Sequence, residues 1–184
     1  MTHFKTFATA AQAQESGIPA ATAALLSRLP LPPAGVATLV YCDGACSGNG
    51  QKEVCPGGWG SVVITRGEAG AQLGRGVSFH TTNNKMELSA AIESLAQTPV
   101  GGTVLVRTDS QYVIKGATEW RAGWVRNGMR NSKKEPVANA DLWMALWAEV
   151  DARKVTFEWV RGHNGDPGNE LADKLAVLAG ATRQ

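Results

Sequence analysis

The chain has 184 residues, a mass of 19.4 kDa and a hydrophobic content of 43%, which suits one domain with a real core and excludes a disordered chain. No apolar run of about 18 residues is present, which speaks against a membrane-spanning helix, and the N-terminus lacks a secretory pattern. The net charge of +2 hides one local excess: residues 115–134 carry Lys115, Arg121, Arg126, Arg130, Lys133 and Lys134 against Glu119 alone. Charge by itself fits a solvated helical face as well as a surface for a polyanion.

Residues 1–36 stand apart as an Ala/Pro-rich extension of unassigned role, and 37–184 read as the main domain. PAATAALLSRL (19–29) predicts a short helix with Pro19 at its first position, and LPLPPAG after it predicts a stiff linker. VATLVYCD (36–43) is a short β-rich run ending in an acid. GWGSVVITR and LGRGVSFH predict two further strands of an antiparallel meander. Leu88, Ala91, Ile92, Leu95 and Ala96 fall on one face of a helix over 84–97. TVLVRTD predicts a buried strand, and SQYVIKGATEW and NADLWMALWAEV predict helices, with Trp143 and Trp147 assigned to the core. VTFEWVRG predicts a last strand, and Asp166–Pro167 predict the cap and first turn of a final helix. The order implies an α/β fold: three meander strands, then alternating helices and strands, in a mixed sheet with helices packed on it.

Cys42, Cys46 and Cys55 are an odd number, form no Cys-x-x-Cys pair and have no nearby His, so reduced thiols in a cytoplasmic protein are expected.

Asp43 and Asp109 both follow hydrophobic strands, where α/β sheets build their sites. If the strands are parallel neighbours, the two carboxylates come close together and need a cation, for which a hard ion such as Mg²⁺ fits. Each acid also has a plain structural reading. Asp43 before Gly44 can make a turn, and Asp109 can cap the next helix. Asn84 and Glu87 have the spacing of a reciprocal cap, and Asp173 can be a solvated helix residue.

The contexts of these acids together resemble one family. YCDGACSGNG, TTNNKMELSAA, RTDSQYV, NADLW and WVRGHNGDPGNELADKLA, in order from about residue 38 to 180, resemble type 1 ribonuclease H. The resemblance implies the ribonuclease H-like α/β fold, a five-stranded mixed sheet of three antiparallel meander strands plus two parallel strands with helices on both faces. It implies endonucleolytic hydrolysis of the RNA strand of RNA–DNA hybrids, leaving 5′-phosphate and 3′-hydroxyl ends. It implies two Mg²⁺ ions with substrate, Mn²⁺ as a substitute, held by Asp43, Glu87, Asp109 and Asp173. It implies that His163, in the RGHNGD loop, assists proton transfer or product departure. It implies that Gly44, Asn49, Asn83, Asn84 and Gln111 read the hybrid, with Asn169 orienting water or phosphate. Thr82, Trp120 and Trp124 match contacts to the DNA strand, and Arg126, Arg130, Lys133 and Lys134 would hold phosphates. For Trp124, core packing remains the competing reading. The implied partner is the hybrid, with no membrane and a monomeric chain. A non-cleaving binding module of the same fold and a DNA nuclease of related fold are the alternatives. Two departures stand out: a longer segment between the first two strands, and an extension unlike the hybrid-binding module that some members carry.

Overall fold

The computed structural model describes residues 3–47 and 55–181. A six-stranded mixed sheet runs in the order β1–β4–β3–β2–β5–β6. β2 (Thr38–Cys46), β3 (Cys55–Thr65) and β4 (Ala71–Thr81) form the antiparallel meander, and β5 (Thr103–Thr108) and β6 (Lys154–Trp159) add in parallel to β2. The five expected strands are all present. The sixth is β1 (His3–Phe7), which comes from the extension and pairs antiparallel with the outer edge of β4, His3 opposite Arg75 and Phe7 opposite Ala71. The extension also forms α1 (Ala10–Glu15), closed by a Thr9–Gln12 capping box, and α2 (Ala20–Ala23), which continues as a 3₁₀ turn over Ala24–Arg28. Pro19 caps α2 from outside its first turn.

Helices cover both faces. Along β2 the side chains alternate between two cores, so the strand is apolar on both sides and reads as one continuous hydrophobic run. Val40 and Cys42 face a core built with α3 (Asn83–Ala96) and α6 (Ala140–Asp151), through Leu88, Ala91, Leu95, Trp143, Leu146 and Trp147. Leu39 and Tyr41 face α7 (Pro167–Gly180), through Leu171, Ala172 and Leu175, and here Phe7, Ala13, Ile18, Ala23 and Leu25 of the extension complete the same core. On α3, Ala90 and Ser94 are buried and Ala96 is exposed. The buried stripe therefore ends at Leu95, one position earlier than the sequence pattern implies. Trp143 and Trp147 are buried, as expected.

The cysteines depart from expectation. Cys46 and Cys55 form a disulfide, with Cα atoms 6.3 Å apart, and Cys42 alone is a free, buried thiol. The β2–β3 register brings the pair within reach: Cys46 lies opposite Gly57, two residues along β3 from Cys55. Asn49 lies outside the described residues.

Candidate active site

Four elements each carry one carboxylate towards one end of the sheet. The parallel register sets Tyr41 opposite Arg107, so Asp43 in β2 and Asp109 just past β5 each stand two residues further along neighbouring strands. Glu87 arrives on α3 because Gly44 leaves no side chain between β2 and that helix; a Cβ there would strike the backbone at Met86–Glu87. Asp173 arrives on α7 by the same device. Gly60, opposite Asp43 in the ladder, lets α7 lie against β3, where a Cβ would strike the Ala172 carbonyl.

The plain readings of Asp43, Glu87 and Asp109 resolve one by one. Asp43 accepts from its neighbour's N–H, Gly44 N to Asp43 Oδ1, at 2.7 Å, but it lies inside β2 rather than in a turn. The cap of α3 is Thr82, whose hydroxyl accepts from the Lys85 N–H, and not Asn84. Glu87 closes no cap. Its two oxygens accept from Asn83 Nδ2 at 2.7 Å and from Ser110 Oγ at 2.6 Å. Nor does Asp109 cap the helix that follows; Ser110 does, accepting from Val113 N at the start of α4 (Gln111–Lys115).

The electrostatics follow from this crowding. Burial, then the charges of Asp109 and Asp173, push the Asp43 carboxyl up to about 8, with Glu87 adding to the effect and the Gly44 N–H opposing it. Burial also raises Glu87, against the lowering effect of its bond from Ser110. Behind them the Cys42 thiol is raised well above its usual range by burial and by Asp43. Among the described residues, no group of three or more acidic, histidine or cysteine side chains is closed up to hold an ion unaided. The donor chemistry nonetheless fits a hard divalent cation: the carboxylates form an open set, and Mg²⁺ characteristically takes one or two carboxylates and fills its remaining positions with water and phosphate oxygens. Asn169 supports that fit. It is 2% exposed, donates from Nδ2 to Asp109 Oδ2 at 3.4 Å, and leaves its buried Oδ1 with no hydrogen-bond partner.

His163 stands at the rim, 81% exposed, in a left-handed backbone conformation with φ of 52°, its Nδ1 3.9 Å from Asp173 Oδ2. Thr82, Asn83 and Asn84 line the start of α3, and exposed Gln111 opens α4. Trp120 and Trp124 flank the junction of a π-helical turn (Gly116–Trp120) with α5 (Arg121–Arg126). Their rings lie 5.3 Å apart, and Trp124 also packs on Trp143 at 5.4 Å. Trp124 is thus half core and half surface, which joins its two competing readings. Within the basic window, Arg121 is committed: it binds Asp151 through two hydrogen bonds of 2.6 Å and stacks over Trp147. Arg126, Arg130, Lys133 and Lys134 remain exposed, and Arg130 donates to the Lys134 carbonyl at 2.7 Å, shaping the loop.

A family model described as RNase H matches residues 36–180. The chain belongs to the ribonuclease H family, type 1. It is 50% identical over 140 residues to a ribonuclease H of Geotalea uraniireducens, covering 76% of this chain and 91% of the relative. It is 48% identical over 145 residues to one of Bordetella avium, covering 79% and 90%. Among solved structures, the crystal structure of LC9-RNase H1, a type 1 RNase H with the type 2 active-site motif, superposes with a TM-score of 0.68 at 33% identity, covering 83% of this chain and 74% of that one. The foamy viral protease-reverse transcriptase in complex with an RNA/DNA hybrid shares the fold, with a TM-score of 0.72 at 24% identity over 84% of this chain and 21% of that one. The family match begins at residue 36, so the strand and helices of the extension lie outside it.

Sequence reasoning missed two residues of the site. Ser110 both caps α4 and holds Glu87; a Ser directly after a strand-end Asp and before a helical run is a readable cap signal. Trp159, half exposed at the end of β6, donates from Nε1 to the Asp109 carbonyl oxygen at 3.2 Å; only the β5–β6 register reveals that contact.

Proposed function

We propose that this ribonuclease H cuts the RNA strand of RNA–DNA hybrids at the carboxylate cluster, with Asp43, Glu87, Asp109 and Asp173 holding two Mg²⁺ ions. The observation that carries this reading is the delivery of four half-buried carboxylates, from β2, α3, α7 and the turn after β5, to one cluster in which the others raise Asp43. Like charges so placed are unfavourable alone and favourable around cations. Bound there, Mg²⁺ would supply an activated water and charge stabilisation for the leaving 3′ oxygen, giving 5′-phosphate and 3′-hydroxyl ends. Mn²⁺ has the same preference for oxygen and would substitute.

The chain's own residues perform the rest. Asn83 and Ser110 fix the Glu87 carboxylate in one orientation. Asn169 braces Asp109 and offers its unpaired Oδ1 to an incoming water. Exposed His163, beside Asp173, assists proton transfer or product departure and moves with its glycine-flanked loop. Gly44, Asn83, Asn84 and Gln111 meet the minor groove, where the 2′-hydroxyl distinguishes the strands, and Asn49 joins them in this proposal. Thr82, Trp120, Trp124 and the exposed Arg126, Arg130, Lys133 and Lys134 hold the DNA strand. The chain acts as a cytoplasmic monomer, and among the described residues no helix is long and apolar enough to cross a membrane.

A cleavage assay on hybrid, duplex RNA and duplex DNA, with and without Mg²⁺, tests the reading. Only the RNA strand of the hybrid should be cut, and only with the metal. Equal cutting of all-DNA duplex would overturn it.

A further inference from the structure

The Cys46–Cys55 bond sits where three strand ends meet at the rim of the site. Cys46 ends β2, three residues past Asp43; Cys55 opens β3; and both sulfurs lie against the Thr81 carbonyl oxygen at the end of β4, at 3.8 and 3.7 Å. Thr81 directly precedes Thr82, the cap of α3, and α3 opens with Asn83 and Asn84. Around this point the β3–β4 ladder shifts register, between Cys55 and Gly57, so the bond lies where the regular pairing is interrupted. One covalent bond therefore fastens the part of the fold that presents the substrate-reading residues. The carboxylates are also held by contacts outside this rim: the Gly60 approach that seats α7, the Ser110 bond to Glu87, and the Asn169 bond to Asp109.

We propose that the Cys46–Cys55 pair is a reversible thiol–disulfide site that sets hybrid affinity: oxidised, it pre-organises the rim, and reduced, it loosens the rim without disturbing the carboxylates. The proposal rests on the reading of this surface as the hybrid-binding one. The reductant is a dithiol. Its thiolate attacks the sulfur of Cys46, the more exposed partner, and the S–S bond breaks with Cys55 leaving as a thiolate that takes a proton. The second thiol of the reductant then displaces Cys46. The protein gains two electrons and two protons, and the dithiol becomes a disulfide. Exchange with a small disulfide reverses the step.

The experiment uses the full chain, prepared without reductant and after dithiothreitol, with thiols counted under denaturing conditions. Of the three cysteines, the oxidised form should show one thiol and the reduced form three. Steady-state cleavage of an RNA–DNA hybrid with Mg²⁺ should show KM rising ~3–10-fold on reduction while kcat stays within about twofold, the signature of lost pre-organisation. Cys55→Ser and Cys46→Ser should match the reduced protein and ignore dithiothreitol. Equal KM in the two forms, three thiols before any reductant, or a response to dithiothreitol that survives in Cys55→Ser would each overturn the proposal. If neither form cuts hybrid, the functional reading fails instead. Equilibrium hybrid binding of the two forms then judges the switch alone: tighter binding by the oxidised form upholds it, and equal binding ends it.

Discussion

The carboxylate cluster and the N-terminal extension serve the protein in opposite ways. At the cluster, half-buried like charges oppose folding and exist for chemistry: the Asp43 carboxyl is pushed up to about 8 because its surroundings resist its charge. In the extension, Phe7, Ile18 and Leu25 are nearly fully buried against β4, β2 and α7. None of those three carries a titratable group. Exposed apolar surface on the α7 side of the sheet would cost stability, and the extension covers it. One region destabilises in order to act, and the other offsets that cost at a distance from the chemistry.

Activity and stability should therefore separate under mutation. Asp109→Asn keeps the size of the side chain but removes a charge from the cluster. Cleavage with Mg²⁺ should fall by at least ~10³-fold, and hybrid binding should stay within a few-fold. Near-normal turnover would remove Asp109 from the metal set. Leu25→Ala should do the reverse: lose ~2–5 kcal/mol in urea unfolding, as buried Leu truncations do, with kcat of the folded protein at 25 °C unchanged. A variant of normal stability would mean that the extension covers the core without supporting it.

Proton binding separates the two regions as well. Asp43 rises from an ordinary 3.8 to about 8 on folding, so without metal the folded state binds its proton more tightly than the unfolded chain does. That contribution is fully present below about pH 4 and is lost as pH climbs through about 8, on the order of a few kcal/mol. Raised Glu87 has the same sign. Metal-free Tm should therefore fall between pH 5 and 8 (a window of roughly three units set by these shifts), and added Mg²⁺ should raise Tm more at the upper end. A Mg²⁺ effect that is larger at low pH would contradict the cluster as its binding site.

Much of this was legible in the sequence because it is local. VATLVYCD and TVLVRTD are short apolar runs ending in acids, and those runs became neighbouring parallel strands. Asp166–Pro167 announced α7 by the cap chemistry it then showed. What stayed hidden depends on partners distant in sequence. HFKTF is too short to read as a strand, and its partner residues begin at Ala71. The Cys46–Cys55 bond needs the hairpin register, and Glu87's partners include Ser110, 23 residues away. The spacing of Asn84 and Glu87 matched a cap that Thr82 in fact supplies, because both patterns fit the same helix start.

The mildest response is expected in the basic window, where sequence charge and structure only partly agree. Arg121 belongs to the fold through Asp151 and Trp147, so it should contribute little to binding. Arg126 is exposed at the end of α5, and Arg130, Lys133 and Lys134 are exposed on the loop that follows it. Replacing these four by Ala should weaken hybrid binding and lower the salt slope by about one for each phosphate no longer neutralised. Stability should barely move, since their charges are solvated and exposed ion pairs contribute little. Arg121→Ala should show the opposite pattern, an unchanged salt slope and a measurable loss of stability from the broken stack and bidentate pair. If Arg121→Ala flattens the salt slope as much as the four-fold variant does, the division of this window into structural and phosphate-binding charge is wrong.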